Sequence, residues 1–320
     1  MSARIKIATT PEEIDAVFQV RHRVYVEEEG YMAPHPDGRI YDRFDALPTT
    51  ANIIAIVGDR VVGTMRFMED SRVGTSADAF FDFAAALAAR GLGAEARVGA
   101  GSQLAVEREY RKQPGLSFSL MAMGYYWAIS RGLTHIKGAA NPDALSIFRG
   151  TGFEPIGPEL FDEAHKLRFV PLVLDLAMLN DRFLDFISRQ DIQHYLHGFE
   201  RQFNGSGEVV VVAGDVASDA FVIVHGEAVV VDPEGREIAR LGAGDVFGEL
   251  ALMAGSRRTA TVIAGTDLDL MVLSRASFEH QISTNPAVAM KLLRLVASRV
   301  APPAGGAREP ARRGDAHAAA

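Results

Sequence analysis

The sequence predicts an α+β protein of two domains. Strand and helix patterns alternate from residue 1 to about 175, which is typical of a mixed sheet with flanking helices. Short β-branched runs separated by glycine turns follow from about 205 to 300, the pattern of a jelly-roll-like β-roll. The 320 residues and 48% hydrophobic content are enough for two cores.

In the first domain, 1–175, the elements follow a regular order. Thr10 and Glu13 form a capping box with Pro11 at the first helical position, so a helix is expected over 11–27. The other elements expected there are a strand at 4–8, a hairpin of 52–57 and 61–68, a helix over 76–90, a strand at 102–106, a helix over 116–131, a strand at 135–140, a short helix at 143–149 and a strand at 166–174.

A helical linker is expected over 176–204, between the two domains. The second domain, 205–300, is predicted to end in a helix over 286–300, and the Ala-, Pro- and Gly-rich segment 301–320 is predicted to be a disordered tail. No helix-turn-helix fits after that helix, so a transcription factor is not expected. The predicted strands of the second domain are 208–212, 220–224, 228–231, 237–241 and 269–273.

Composition narrows the function classes. The chain has no cysteine, which excludes disulfides and thiolate sites, and its net charge of −8 argues against DNA as a partner. The nine histidines show no HxxxH or HExxH spacing, so no metal is expected. No apolar run has the length of a membrane span and no signal-peptide pattern is present, so a cytoplasmic location is expected. The oligomeric state cannot be predicted.

The segment 247–262 carries the chemistry of an anion site. A short helical turn led by Gly248 offers backbone N–H groups to a phosphate. Glu249 supplies a carboxylate that can accept from a ribose hydroxyl, and Arg258 supplies a planar fork that suits a cyclic phosphate. The candidate binding residues are Phe247, Gly248, Glu249, Leu250, Ala251, Arg258, Thr259 and Ala260.

This segment resembles the phosphate-binding cassette of cyclic nucleotide-binding domains. The resemblance covers about 205–300 and implies a cyclic nucleotide as effector. Cyclic AMP is favoured over cyclic GMP, but only slightly, because Thr259 can serve either base. The alternative is a β-roll that has kept the fold and lost the ligand. The presence of both Glu249 and Arg258 favours binding.

The element order of the first domain is similar to that of the GNAT acyltransferases. Three local matches resemble one branch of them, the acyl-homoserine-lactone and N-acyl amino acid synthases: Arg21–Tyr31, Tyr41–Asp45 and Gly63–Phe67. The homoserine-lactone branch usually has E-x-S-R where this chain has Ala100-Gly101-Ser102-Gln103, so a homoserine-lactone product is not expected.

The resemblance gives five candidate catalytic residues: Arg21, Tyr25, Asp42, Asp45 and Arg66. Arg21 and Tyr25 are one helical turn apart and therefore share a face. The aspartates can pair with the arginines, or they can hold the amine of an amino-acid-like acceptor. A purely structural charge network is the competing interpretation.

Donor binding is expected along the strand before the long helix. The strand would pair with a pantetheine arm, and its backbone N–H groups would stabilise the oxyanion. Pro114 weakens a CoA pyrophosphate loop, so the basic turn of Arg108, Arg111 and Lys112 suits one phosphopantetheine phosphate, an acyl carrier protein, or solvent alone. The donor, acyl-ACP or acyl-CoA, would meet Leu104, Ala105, Val106, Arg111, Lys112 and Phe148.

Phe148 stands where ordinary acetyltransferases often place a tyrosine. It is expected to pack against an acyl chain. The other candidates for an apolar slot are Phe80, Phe81, Phe83, Met121 and Met123, each of which can equally belong to the core.

Three functions remain open from the sequence. The first is a cyclic-nucleotide-regulated N-acyltransferase that moves an acyl group from a thioester to an amine, in particular that of an amino acid. The second is a cyclic-AMP-regulated protein lysine acetyltransferase. The third is a non-enzymatic nucleotide sensor whose transferase domain has decayed, which Ala100 and Gln103 suggest.

Overall fold

The structure, a computed structural model, describes residues 2–93, 95–112, 115–163, 167–179, 200–284 and 290. Residues 1–275 form one compact unit and residues 276–320 a second one. None of the helices in the described part is both long and apolar enough to cross a bilayer.

The first half confirms the predicted alternation of strands and helices. Its elements are β1 (Ala3–Ile7), α1 (Pro11–His22), β2 (Thr50–Val57), β3 (Arg60–Glu69), α2 (Phe83–Ala89), β4 (Val98–Val106), α3 (Leu116–Ser130), β5 (His135–Ala140), α4 (Leu145–Gly150), β6 (Glu154–Pro155), β7 (Leu160–Asp162) and β8 (Leu167–Asp175). Short 3-10 turns lie at Arg43–Ala46, Ser76–Ala79, Arg108–Tyr110, Pro142–Ala144 and Leu176–Met178.

Helix α1 begins with the predicted capping box. The Thr10 hydroxyl accepts a hydrogen bond from Glu13 N, and the Glu13 carboxylate accepts one from Thr10 N, both at 3.2 Å. The α-helix ends at His22, earlier than predicted, and the chain continues as a π-helical turn over Arg23–Glu28. Such wide turns often occur at functional sites.

The single helix predicted over 76–90 is wrong. The chain forms a 3-10 turn at Ser76–Ala79, and α2 starts separately at Phe83. Asp82 causes the separation, since its carboxylate accepts a hydrogen bond from Ala85 N at 3.0 Å and caps α2 as a new helix.

Strand β4 contains a β-bulge. Met65 of β3 faces two residues of β4, Gln103 and Leu104, because the register shifts by one residue there. Gln103 has a φ of +54°, the left-handed region, and it is the one non-glycine residue in the described ranges with a positive φ.

The same strand separates from β5. The two strands run parallel and pair at 98–100 with 135–137. The register pairs stop there, although both strands continue for several described residues. The gap that opens beyond the pairs is where the first cavity described below lies.

Helix α3 packs closely against β3 because position 124 is glycine. A Cβ atom on Gly124 would lie 1.9 Å from a ring carbon of Phe67. The Tyr125 ring then packs edge-on against Phe67, with 6.0 Å between the centroids.

The second half confirms the predicted β-roll. Its elements are β9 (Glu200–Asn204), β10 (Val209–Val211), β11 (Asp219–His225), β12 (Ala228–Val231), β13 (Glu237–Leu241), β14 (Val246–Phe247), α5 (Glu249–Ala254), β15 (Thr261–Ala264), β16 (Leu268–Ser274) and α6 (Arg275–Thr284). Its core is built from inward-facing apolar residues, among them Phe221, Ile223, Phe247, Val262, Leu270 and Val272.

One sheet runs through both halves of the first unit. Its strand order is β14-β11-β16-β9-β1-β2-β3-β4-β5-β8-β6, with β7 paired to β8, and β10-β15-β12-β13 form a second sheet. Strand β9 joins the halves because it pairs with β1 on one side and β16 on the other. The edge of β1 is thereby covered, as an exposed sheet edge usually must be.

Strand β9 also corrects the predicted helical linker, 176–204. Residues 200–204 are extended, and 176–178 form a 3-10 turn. The residues between them, 180–199, lie outside the described part, as do the predicted tail 301–320 and, except for Met290, the predicted helix 286–300.

Candidate active site and nucleotide site

Two cavities meet at the bulge in β4. The first, of about 320 Å³, lies between the separating ends of β4 and β5 and is mainly apolar. The second, of about 1010 Å³, is lined by Asp42 and Arg66 as well as by aromatic side chains. Gly101, Ser102 and Gln103 line both cavities. These three residues therefore belong to the walls of both cavities.

Arg21 and Arg66 form a charge cluster with Asp42 and Asp45. Arg66 donates to both oxygens of Asp42, at 2.7 and 2.9 Å. The Asp45 carboxylate accepts from Arg66 and, through both oxygens, from Arg21, each at 3.0 Å. Both arginine side chains are fully buried. The structure thus contains the ion pairs that the sequence analysis gave as one of two possibilities for these residues.

The two aspartates have different environments. Burial alone would raise the pKa of Asp45, but the guanidinium charges of Arg21 and Arg66 hold the pKa below its ordinary value. These charges favour the ionised form of Asp45, and neither it nor Arg21 lines the two cavities. Asp42 is the more exposed carboxylate, and with Arg66 it lines the larger cavity.

Tyr25 forms a hydrogen bond with the bulge in β4. Its hydroxyl donates a hydrogen bond to the carbonyl of Leu104 at 3.0 Å, and its ring lines the 320 Å³ cavity. Burial raises the pKa of Tyr25, so the hydroxyl stays protonated and remains a donor at neutral pH.

The expected donor-binding residues divide into two groups. Leu104 and Phe148 line the 320 Å³ cavity, whereas Ala105 and Val106 are buried within the sheet. Arg111 is committed to the π-helical turn, because it donates to Glu28 at 2.7 Å and to Glu29 at 2.5 Å. Lys112 is exposed, and its neighbours 113 and 114 lie outside the described residues.

The apolar slot is smaller than the sequence suggested. Phe83, Met121 and Met123 are core residues, and Phe81 packs edge-on against Phe83 with 5.1 Å between centroids. Of these candidates, Phe80 lines the 1010 Å³ cavity, which lies beside the 320 Å³ cavity that Phe148 lines. A third cavity of about 230 Å³ adjoins the other two and is lined by Phe80, Tyr31, Met32, Leu167 and Phe169.

In the β-roll, Arg258 lies against the start of α5. Its guanidinium donates to the carbonyl of Gly248 at 2.8 Å and to that of Asp219 at 2.7 Å, above the ring of Phe221. Burial lowers the pKa of Arg258, although nearby carboxylates oppose this effect. Gly248 has a φ of +79°, and a Cβ atom there would lie 2.5 Å from Arg258 Nη1, so this position requires glycine.

The other cassette residues surround this contact. Phe247, Glu249 and Ala251 are buried, and the Phe247 ring stacks on Phe221 with 5.0 Å between centroids. Leu250 and Thr259 are exposed and Ala260 is half-buried.

Several site residues were not predicted. Asn52 accepts a hydrogen bond from Arg21 at 2.5 Å, and Met32 lines all three cavities. Their signals are weak, since one is a polar residue inside a strand and the other a single methionine. In the described part of the chain, no three histidine, aspartate or glutamate side chains come together as a metal ion would require.

Comparisons with known proteins find a family match for each half of the chain. Residues 16–175, half of the chain, match the family described as N-acyl amino acid synthase FeeM. Residues 202–285 match the cyclic nucleotide-binding domain family. The chain belongs to the N-acyl amino acid synthase FeeM family, a family of acyltransferases, and it carries a cyclic nucleotide-binding domain.

Among curated proteins, the similarity lies in part of each relative. A cyclic nucleotide-gated potassium channel of Rhizobium etli is 38% identical over 84 residues, 26% of this chain and 23% of the channel. The cGMP-dependent protein kinase egl-4 of Caenorhabditis elegans is 32% identical over 108 residues, 34% of this chain and 14% of the kinase. The chain therefore spans less than a quarter of the length of these relatives.

Two solved structures also resemble parts of the chain. The FeeM N-acyl amino acid synthase from uncultured soil microbes is 21% identical, with a TM-score of 0.47 over 56% of this chain and 93% of that one. A cyclic nucleotide-binding domain from Methylobacillus flagellatus is 22% identical, with a TM-score of 0.33 over 37% of this chain and 76% of that one.

The charge cluster predicts a large stability effect at Asp45. Asp45→Asn leaves two buried guanidinium groups short of a counter-charge, so it should lower the free energy of unfolding by about 3–5 kcal/mol. Denaturant titration measures this loss. Asp59→Asn, in the exposed turn between β2 and β3, is the control and should have little effect.

The pKa of Asp45 also gives a pH dependence. A carboxyl whose pKa is lowered by folding contributes fully above the unfolded value of about 3.9, and the contribution is lost as the pH falls through the folded value. Wild type should thus lose more stability than Asp45→Asn as the pH falls below about 4, which is where that window lies. If the free energies of unfolding of the two proteins fell in parallel with pH, the ion-pair role of Asp45 would be contradicted.

Proposed function

We propose that the protein transfers an acyl group from a thioester to the amino group of an amino acid, under the control of a cyclic nucleotide. The observation that carries this proposal is the meeting of an apolar cavity and a charged one at Gly101, Ser102 and Gln103. A thioester and an amino acid have those respective chemistries. The family of the chain supports the reaction type.

The donor would enter between β4 and β5. A pantetheine arm can pair with a strand edge as an added β-element, and β4 and β5 stop pairing after 100 and 137. The bulge at Gln103 and Leu104 interrupts the register with β3 beside this gap, and backbone N–H groups of the strand would stabilise the oxyanion. The acyl chain fits the adjoining 230 Å³ cavity, where Met32, Phe80 and Phe169 are apolar neighbours.

The acceptor would occupy the larger cavity. Its ammonium group is attracted to Asp42, the carboxylate of the cluster that faces this space. After losing a proton, the amine attacks the thioester carbon, a C–N bond forms, the C–S bond breaks, and the sulfur leaves as a thiolate that takes up a proton. Asp45 is a poor base for this step, because its two arginine partners stabilise the ionised form.

The effector would bind at the start of α5. Arg258 already presents its guanidinium beside Gly248, so a cyclic phosphate can replace the carbonyl oxygens of Gly248 and Asp219 as its partners. We favour cyclic AMP over cyclic GMP, while the exposed Thr259 can contact either base.

Regulation would pass through β9. Arg201 of this strand pairs with Asp269 of β16, with Nε and Oδ1 2.9 Å apart, and donates to the Tyr126 hydroxyl of α3 at 2.9 Å. The backbone carbonyl of Asp219 accepts a hydrogen bond from Arg258. The side-chain oxygen Oδ2 of Asp219 lies 3.5 Å from Nη2 of Arg4, a residue of β1. A change at the phosphate site can thus reach both β1 and α3. We propose that nucleotide binding raises the transfer rate.

Acyl transfer is tested directly by mass spectrometry. The full chain is incubated with acyl-ACP or acyl-CoA of several lengths, an amino acid mixture, and either cyclic AMP, cyclic GMP or no nucleotide. An N-acyl amino acid should form, with a rate or affinity that the nucleotide changes by about 5- to 150-fold. Acetylated lysine on added protein instead would indicate a protein acetyltransferase, and no acyl product would indicate a sensor.

Nucleotide affinity should depend on Arg258. Arg258→Ala removes one partner of a buried charge-assisted pair, which typically costs about 2–5 kcal/mol and weakens binding about 30- to several thousand-fold. Calorimetry measures the affinity. Arg257→Ala is the matched control, since the neighbouring Arg257 is exposed and donates to Gly214 O on the surface. Equal nucleotide affinities in the Arg258→Ala and Arg257→Ala variants would contradict the assignment of Arg258 to the phosphate site.

The β9 route predicts a specific loss of regulation. Tyr126→Phe removes the hydroxyl that joins α3 to Arg201 but leaves the Arg201–Asp269 pair, so basal transfer should be unchanged while the nucleotide response falls about 5-fold or more. Tyr125→Phe is the control, because it removes a neighbouring hydroxyl of α3 that bonds to Thr151. An unchanged response in Tyr126→Phe would show that coupling takes another path.

A further inference from the structure

Lys137 of β5 is a buried cation that the proposed reaction does not use. Its side chain is only 4% exposed. Its ammonium group donates to Asp70 Oδ2 at 2.8 Å and to Asp78 Oδ1 at 2.7 Å, and it lies 5.8 Å from the centre of the Phe83 ring. Taking an ammonium group out of water is costly, so the two ion pairs are needed to offset that cost.

Asp78 belongs to the 3-10 turn Ser76–Ala79. One oxygen of its carboxylate binds Lys137, and the other accepts from the backbone N–H and from the hydroxyl of Thr75, at 2.7 and 2.9 Å. The carboxylate thus caps the turn and also ties it to β5. Asp70 directly follows β3 and lies outside the turn. Of the two ion pairs, the one with Asp78 therefore holds the turn.

The turn Ser76–Ala79 forms part of the wall of the 1010 Å³ cavity, through Ser76, Ala77 and Ala79. Phe44 contributes another part of the wall from the 3-10 turn Arg43–Ala46. That second turn is held in a similar way, because its Asp45 carboxylate accepts a hydrogen bond from Arg66. The cavity is thus lined by two turns, and a buried cation of the sheet holds each of them.

The two cations lie on the same face of the sheet. Arg66 is the register partner of Ser102, and Lys137 is the register partner of Ala100. Residues two apart in a strand point to the same side, so Ala100 and Ser102 share a face of β4 with both cations. Lys137 is therefore placed to fix this cavity wall as Arg66 fixes the other one.

We propose that Lys137 positions the wall of the acceptor site. The inference rests on the proposed acyl transfer, in which the 1010 Å³ cavity holds the acceptor amino acid. Lys137 is not among the residues that line the three cavities, so it acts through Asp78 and is a positioning residue. Without its ammonium group the turn would move, and the cavity would fit the acceptor less well.

Lys137→Met removes the ammonium group and keeps a side chain of similar length beside Phe83. The variant should fold, because the side chains of Asp70 and Asp78 are already 37% and 34% exposed and can stay hydrated, and an apolar replacement in a buried ion pair is often tolerated. The KM of the acceptor should rise about ten-fold or more, since a misplacement of about 1 Å can cost about a hundred-fold.

The KM of the acyl donor should stay unchanged in Lys137→Met. Phe80, the residue that follows the turn and lines the 230 Å³ cavity, has a contact of its own with Phe169 of β8, with 5.5 Å between the ring centroids. This contact does not depend on Lys137. A general loosening of the protein would change both KM values, so the difference between them identifies a positioning role.

Asp78→Asn and Asp70→Asn separate the two ion pairs. Asp78→Asn should raise the acceptor KM as Lys137→Met does, and the double variant should be no worse than either single one, because both changes break the same contact. Asp70→Asn is the matched control, since it breaks the other ion pair of Lys137 and should leave the acceptor KM unchanged. Hydrogen exchange of the amides of 75–80 should be faster in Lys137→Met than in Asp70→Asn.

A folded Lys137→Met protein with the acceptor KM of wild type would overturn the proposal. Additive effects of Lys137→Met and Asp78→Asn would also overturn it, as would an equal rise of the acceptor KM in Asp70→Asn or unchanged hydrogen exchange at 75–80. If wild type itself transfers no acyl group to any amino acid, the proposed function fails, and that result is read from the wild-type reaction alone.

Discussion

The candidate site depends on the buried pairing of two arginines with two aspartates. Arg21 and Arg66 have no exposed surface, and a buried guanidinium needs a counter-ion close by. Asp45 bonds to both, so it joins α1, the turn at Arg43–Ala46 and β3 at one point. Asp42 is then placed by the remaining donors of Arg66, at the edge of the larger cavity.

This arrangement gives the two aspartates different surroundings. Asp45 is enclosed, with a lowered pKa, whereas Asp42 faces the space that an acceptor can fill. The cluster also reaches the bulge, since Arg66 Nε donates to Ser102 Oγ at 3.1 Å and Asp42 accepts from Gln103. The charge cluster thus holds the residues at which the two cavities meet, and packing and hydrogen bonds of this kind usually support a rigid site.

Much of the fold and part of the site could be predicted because the signals are local. Capping at Thr10, the strand and turn cadence after residue 205, and the spacing of Glu249 and Arg258 are each read from neighbouring residues. Features that need tertiary information were missed. The left-handed φ of Gln103 is imposed by the bulge, not by a glycine or asparagine that would mark it. Strand β9 is extended because it pairs with β1 on one side and β16 on the other. Arg111 pairs with Glu28 and Glu29, which lie about eighty residues earlier in the chain.

The most direct test of the account is a crystal structure of the full chain with an N-acyl amino acid bound. The account predicts the amide bond of this product beside Ser102 and Gln103, its amino-acid part in the cavity with Asp42, and its acyl part in the adjoining cavity towards Met32 and Phe169. A product bound elsewhere on the chain, or one with its acyl part against Asp42, would contradict the proposal that the two cavities meet at the reaction centre.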